Sequence, residues 1–143
     1  MRPDNTRNPS LKSIAFATAA VAATISAAAY AQAGGAAGIA PHVYSTKIMG
    51  ATPAVLNGTW RLSVRPTAFS VTKGAALAVS GSVRIAGNRI TFHDLSGSFA
   101  CRGAQAKGIY AWKVTGNHLT LTAVREPCGG RKTILTKPFT RVP

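Results

Sequence analysis

The sequence predicts an all-β fold, a small antiparallel up-and-down barrel of about seven or eight strands stapled by one disulfide. Three observations predict it. Beyond Gly58, glycine, proline and asparagine divide the chain into short alternating runs, and none keeps a helical period for long. Two Gly-Asn dipeptides, Gly87-Asn88 and Gly116-Asn117, each sit between alternating segments, as a two-residue primed hairpin turn requires. Cys101 and Cys128 are the chain's only cysteines, and one follows each hairpin.

The first 31 residues read as an export signal. Arg2, Arg7 and Lys12 form a basic start, Ile14 to Ala29 an apolar run, and Ala29-Tyr30-Ala31 a small-x-small cleavage site, so the working chain begins near Gln32. The run is rich in Ala and Ser and shorter than a confident membrane span of about 20 strongly apolar residues. The protein is expected in a periplasm or outside the cell. Residues 32–53 are rich in Ala and Gly and read as a flexible lead, because such a composition buries little surface per residue ordered. The barrel is assigned to residues 54–143.

Within it, Trp60, Leu62 and Val64 alternate with Arg61, Ser63 and Arg65 until Pro66 interrupts the strand, and Phe69 and Val71 mark a second short strand. Lys73-Gly74 turns the chain. Leu77, Val79, Gly81, Val83 and Ile85 share one parity, so residues 76–86 form one long strand in which Gly81 permits a bulge. With Gly87-Asn88 as the loop, Ile85 faces Ile90 and Val83 faces Phe92. With Gly116-Asn117 as the loop, Val114 faces Leu119, Trp112 faces Leu121 and Tyr110 faces Ala123. The two hairpins resemble each other at a period of 29 residues, and their cysteines lie 14 and 12 positions beyond the turn glycines. A bridge would tie their far ends together. Closing that loop of 28 residues is worth about 3–4 kcal/mol on the chain-entropy model. Lys132 to Lys137 reads as a last strand, with Ile134 and Leu135 competing for its inward face. An open sandwich meets the same pattern, but closure removes the sheet edges.

Charge narrows the function. Removing residues 1–31 leaves 14 Lys and Arg against Asp94 and Glu126, a net charge of +12. Such a field attracts anionic polymers, anionic membrane surfaces or nucleic acid by steering and screened attraction. The bases are scattered one or two per segment, as solvated strand positions are. Paired-carboxylate catalysis would need both acids to converge, and Arg125 and Arg131 are nearer partners for Glu126. Asp94 follows Ile90 and Phe92 in parity, which aims it toward the barrel end and an ion pair or a turn cap. A Ser-His-Asp system would have to combine Asp94 with His118 or His42, with no nucleophile motif to support it. No enzyme is expected. No residue pattern points to a metal or an organic cofactor, and Cys128-Gly-Gly-Arg131 reads as a tight turn.

At these residues the chain resembles the lipocalin-like, or calycin-like, small secreted barrels. Gly58-Thr59-Trp60 matches the family's Gly-x-Trp on the first strand, and Arg141 is placed as its Trp-packing arginine. Through Cys101, Gly108-x-Tyr110-x-Trp112, Leu119-Thr-Leu121, Glu126-x-Cys128 and Arg131 it also resembles small exported bacterial domains of unsettled function. The resemblance implies a non-enzymatic barrel that binds a small apolar or amphipathic molecule, or a protein. Its site would be Trp60, Phe92, Tyr110 and Trp112 at the barrel mouth, unless those rings simply fill a narrow barrel. The alternative is a cationic module that adheres to an anionic polymer, lipid or nucleic acid through Arg61, Arg84, Arg89 and Lys113.

Overall fold

The computed structural model describes residues 38–143, so the expected export signal lies outside the described residues. Eight antiparallel strands pair in chain order and close on themselves: β1 (His42–Ile48), β2 (Gly58–Val64), β3 (Ala68–Lys73), β4 (Ala76–Ala86), β5 (Arg89–Ser96), β6 (Lys107–Thr115), β7 (His118–Arg125) and β8 (Phe139–Arg141). One short helix, α1 (Gly129–Leu135), lies between β7 and β8.

The hairpin registers follow the alternation. Ile85 faces Ile90, Val83 faces Phe92, Trp112 faces Leu121 and Tyr110 faces Ala123. Gly87 and Gly116 have φ of 55° and 57° while each following asparagine keeps negative φ, the pattern of a II′ turn. A bulge falls beside Gly81, where an added Cβ would strike the His93 carbonyl and lie 2.6 Å from the Phe69 ring. The bridge joins Cys101 to Cys128 with Cα atoms 6.3 Å apart, within the usual span.

Three expectations need correction. The lead assigned to residues 32–53 contains β1, which pairs with β2 along its whole length and with β8 to close the barrel. Gly58-Thr59-Trp60 therefore opens the second strand. The last strand is not Lys132 to Lys137, because that stretch is mostly helix. Arg131, Ile134 and Leu135 are buried at helical spacing, so the adjacent apolar pair that divides a strand's faces shares one helix face. Pro138 follows and disfavours helix at Lys137, and β8 begins at Phe139. Leu77 does not share the inward face, being 56% exposed. A register shift opposite Val71 and Thr72 skips Ala78 and turns Leu77 outward.

The core is continuous. Tyr44, Trp60, Leu62, Ile90, Phe92, Tyr110, Leu119 and Phe139 are all fully buried. Phe92 meets Phe69 and Tyr110 edge-on, with centroids 5.0 and 5.7 Å apart, in the favoured T-shaped geometry. Both ends are closed. At one, α1 packs beside the 3-10 turn Ala54–Leu56, whose Leu56 carbonyl accepts from Trp60 Nε1 at 2.8 Å. At the other, buried Ile39 and Ala40 fold inward ahead of β1, and the Gly38 and Ile39 carbonyls accept from the Tyr44 hydroxyl.

Candidate functional site

Both acidic side chains of the described residues lie at one end. At the α1 end, strand parity turns Asp94 inward, and Gly108, opposite Phe92 across the β5–β6 pair, leaves a gap where a side chain would stand. Arg131 fills that gap from α1. Its Nε and Nη2 donate to Glu126 at 2.7 and 2.8 Å, and its Nη1 and Nη2 donate to the Ala106 and Gln105 carbonyls, both at 2.9 Å. Nη1 also stands 3.0 Å from Asp94 Oδ1, an ion pair without hydrogen-bond alignment. The second oxygens are anchored by the disulfide loops: Cys101 N–H donates to Asp94 Oδ2 and Cys128 N–H to Glu126 Oε1, both at 2.8 Å.

Burial alone would lower the Arg131 pKa, but hydrogen bonding to Glu126 and the two carboxylate charges outweigh it and the net shift is upward. Tyr110 donates its hydroxyl to Glu126, and burial followed by that hydrogen bond raises its pKa. Every group here is committed to another, and together they form a lock that ties α1 and both disulfide segments to this end of the barrel. Arg131 is the partner of Glu126, as the sequence indicates, and no ion pair is formed by Arg125 among the described residues. Sequence reasoning missed that Asp94 joins the same guanidinium.

The four aromatic candidates face inward from β2, β5 and β6 but are not brought together: Phe92 and Tyr110 meet, Trp60 packs on Phe99 at the α1 end, and Trp112 lies toward the hairpin end. Trp60, Phe92 and Tyr110 are 0% exposed and pack against neighbours, and the cavity beside this core, between Phe99, Asp94 and α1, is about 40 Å³, room for about one water. Trp112 is half-buried, and its buried Nε1 has no acceptor among the described residues. The Trp-packing role expected of Arg141 is not what the side chain does. Lys73 Nζ is the cation near the Trp60 ring, 5.8 Å from its centroid, while Arg141 contacts the His42 imidazole.

The opposite end, which carries three of the four tight hairpins and the start of β1, presents a row of cations. Arg84 faces Thr91, Arg89 faces Ala86 and Ala111, and Lys113 faces Thr120, so Arg84, Arg89 and Lys113 occupy successive diagonal positions on the outer faces of β4, β5 and β6. Diagonal neighbours are about 7–8 Å apart. All three are exposed. Arg61 is not part of this group, because it faces Thr72 and Ser45 on another part of the wall. Arg65 and Arg141 add charge at the same end, where an open cleft of about 690 Å³ crosses the rim between β1, β2 and β8. Sequence reasoning missed this cleft because β1 was read as lead. Its signal was the parity of His42, Tyr44, Thr46 and Ile48.

No group of three or more metal-ligating side chains occurs among the described residues. No family model, curated protein or solved structure matches this chain.

Proposed function

We propose that this protein is an exported, non-enzymatic, lipocalin-like barrel that adheres to an anionic polymer through its cationic hairpin end. The observation that carries the reading is a diagonal row of exposed cations with no carboxylate beside it. Both carboxylates of the described chain are consumed by Arg131 at the α1 end, which leaves Arg84, Arg89 and Lys113 in a diagonal row with no described carboxylate beside them. A rigid wall presenting fixed cations attracts a flexible polyanion by releasing its counterions. The Cys101–Cys128 bridge fits an oxidising compartment and so supports export. The rival reading, a small apolar molecule held by Trp60, Phe92, Tyr110 and Trp112, requires three fully buried rings to part.

The test is a salt series with a soluble polyphosphate. Affinity is expected to fall steeply between low and physiological salt. Replacing Arg84, Arg89 and Lys113 together by Gln should flatten that dependence, while Arg61→Gln should change it far less. Anionic vesicles and DNA serve as parallel arms. An effect of the triple variant no larger than about three times that of Arg61→Gln, the ratio of the charges removed, would reduce the attraction to net charge and remove the proposed face. Saturable binding of an uncharged apolar compound, unaffected by salt, would restore the interior reading.

A further inference from the structure

We propose that the rim cleft between β1, β2 and β8 is a binding site for a small organic carboxylate with an apolar body. The cleft holds about 690 Å³, within the ~300–1,000 Å³ typical of small-ligand sites. Its lining is of two kinds. Val64, Pro66 and Val142 give it apolar walls, and His42, Arg65 and Arg141 bring cationic or hydrogen-bonding groups to the same opening. No carboxylate side chain lines it among the described residues. An inorganic anion would use only the charge and a neutral hydrocarbon only the walls, so the lining as a whole matches a ligand that has both.

The cationic groups are held in place before any ligand arrives. Arg141 N–H donates to the Asn117 carbonyl at 2.7 Å and Val142 N–H to the Val43 carbonyl at 2.8 Å, which fixes the end of β8 against both neighbours. The Arg141 guanidinium rests on His42 through Nη2. Its other N–H groups have no acceptor among the described residues, and a guanidinium offers five donors in a fork that suits a carboxylate. Arg65, exposed at the β2–β3 turn, stands across the opening with no described partner of its own. His42 meets Tyr44 edge-on, with centroids 6.2 Å apart, which keeps the imidazole upright at the rim.

His42 also supplies a reporter. Partial burial, and then the Arg141 charge, hold its pKa below the ordinary imidazole value. The charged and titratable groups facing it are Arg141 from β8, Arg65 from the β2–β3 turn and Tyr44 on its own strand. A carboxylate seated on Arg141 offsets the guanidinium field and so raises the His42 pKa. The site is independent of the outer wall proposed above, since its ligand is small and singly charged.

The experiment follows the His42 ring resonances of the purified protein by NMR during titration with benzoate, its uncharged amide benzamide, and acetate. Benzoate is expected to give a saturable shift and an upward move of the His42 pKa, while benzamide and acetate bind at least about tenfold more weakly. Arg141→Gln should weaken benzoate at least about tenfold. Because Arg141 lies on the closing strand, Arg65→Gln provides a second variant on an exposed turn, with an expected loss of about fivefold. A non-saturable response to benzoate would overturn the proposal. Benzamide equal to benzoate would overturn it as well, and so would unchanged affinity in both variants.

Discussion

Arg131 shows how one side chain can decide the packing of a barrel end. Its charge is taken out of water, with only 6% of the side chain exposed, and the cost is offset by two carboxylates and two backbone carbonyls that meet its donors. Gly108 makes the arrangement possible, because a Cβ there would collide with Glu126 and lie 2.9 Å from Arg131 Nη2. Replacing Arg131 by Met removes the cation but leaves Asp94 and Glu126 buried together. The expected loss is about 3–5 kcal/mol, the usual cost of stranding buried charge, measured by urea unfolding monitored through Trp fluorescence. A loss below about 1 kcal/mol would mean that water already reaches the carboxylates and that the lock contributes little. The rise in the Tyr110 pKa follows from the same enclosure, since a phenolate beside Glu126 would add a third negative charge to a site with one cation.

The two disulfide-linked segments and α1 act as a single closure. Cys101 and Cys128 are the residues whose backbone N–H groups hold Asp94 and Glu126, so the bridge restrains the acceptors of Arg131 as well as the chain. Replacing both cysteines by Ser is expected to cost about 3–4 kcal/mol from loop closure alone. In the background of Arg131→Met the same change should cost less than in the parent, because part of its effect runs through the lock. A double-mutant cycle reads that coupling, and strict additivity would show the bridge and the lock to be independent. The sequence made this end partly legible. The hairpin parity placed Asp94 inward and the cysteine spacing placed the bridge, because period-2 alternation and turn chemistry act locally. The helix was not legible. Gly129-Gly130 is a poor helix start, and what makes α1 helical is the burial of Arg131, Ile134 and Leu135 against the barrel end, a tertiary effect with no local signature. Likewise β1 was hidden by its flanking Ala, Gly and Pro residues, so that the parity of His42, Tyr44, Thr46 and Ile48 went unread until the partners on β2 and β8 were seen. The rim cleft was lost with it.

Across the whole molecule the acids sort to one end and the bases do not: both acids are neutralised inside the α1 end, while unpaired bases stand at both ends, those of the hairpin end on the outer wall and around the rim cleft. A chain this basic repels itself in the folded state, and further protonation adds to that repulsion at the hairpin end, which has no carboxylate side chain among the described residues. His42 sits there, and its folded-state pKa lies below the unfolded value of 6.5, through burial first and the Arg141 charge second. The unfolded chain therefore binds the His42 proton more readily than the folded one, so stability rises with pH across that interval. Lowering the pH from 8 through 6.5 is then expected to reduce the melting temperature, with the loss levelling off once the folded-state pKa is passed. His42→Gln should flatten this part of the profile, and raising the salt should shrink it by screening Arg141. Benzoate at saturation should shrink it too, because a carboxylate on Arg141 offsets the second of the two causes that keep the proton off His42. A profile identical in parent and His42→Gln would place the acid sensitivity elsewhere on the barrel and separate it from the rim.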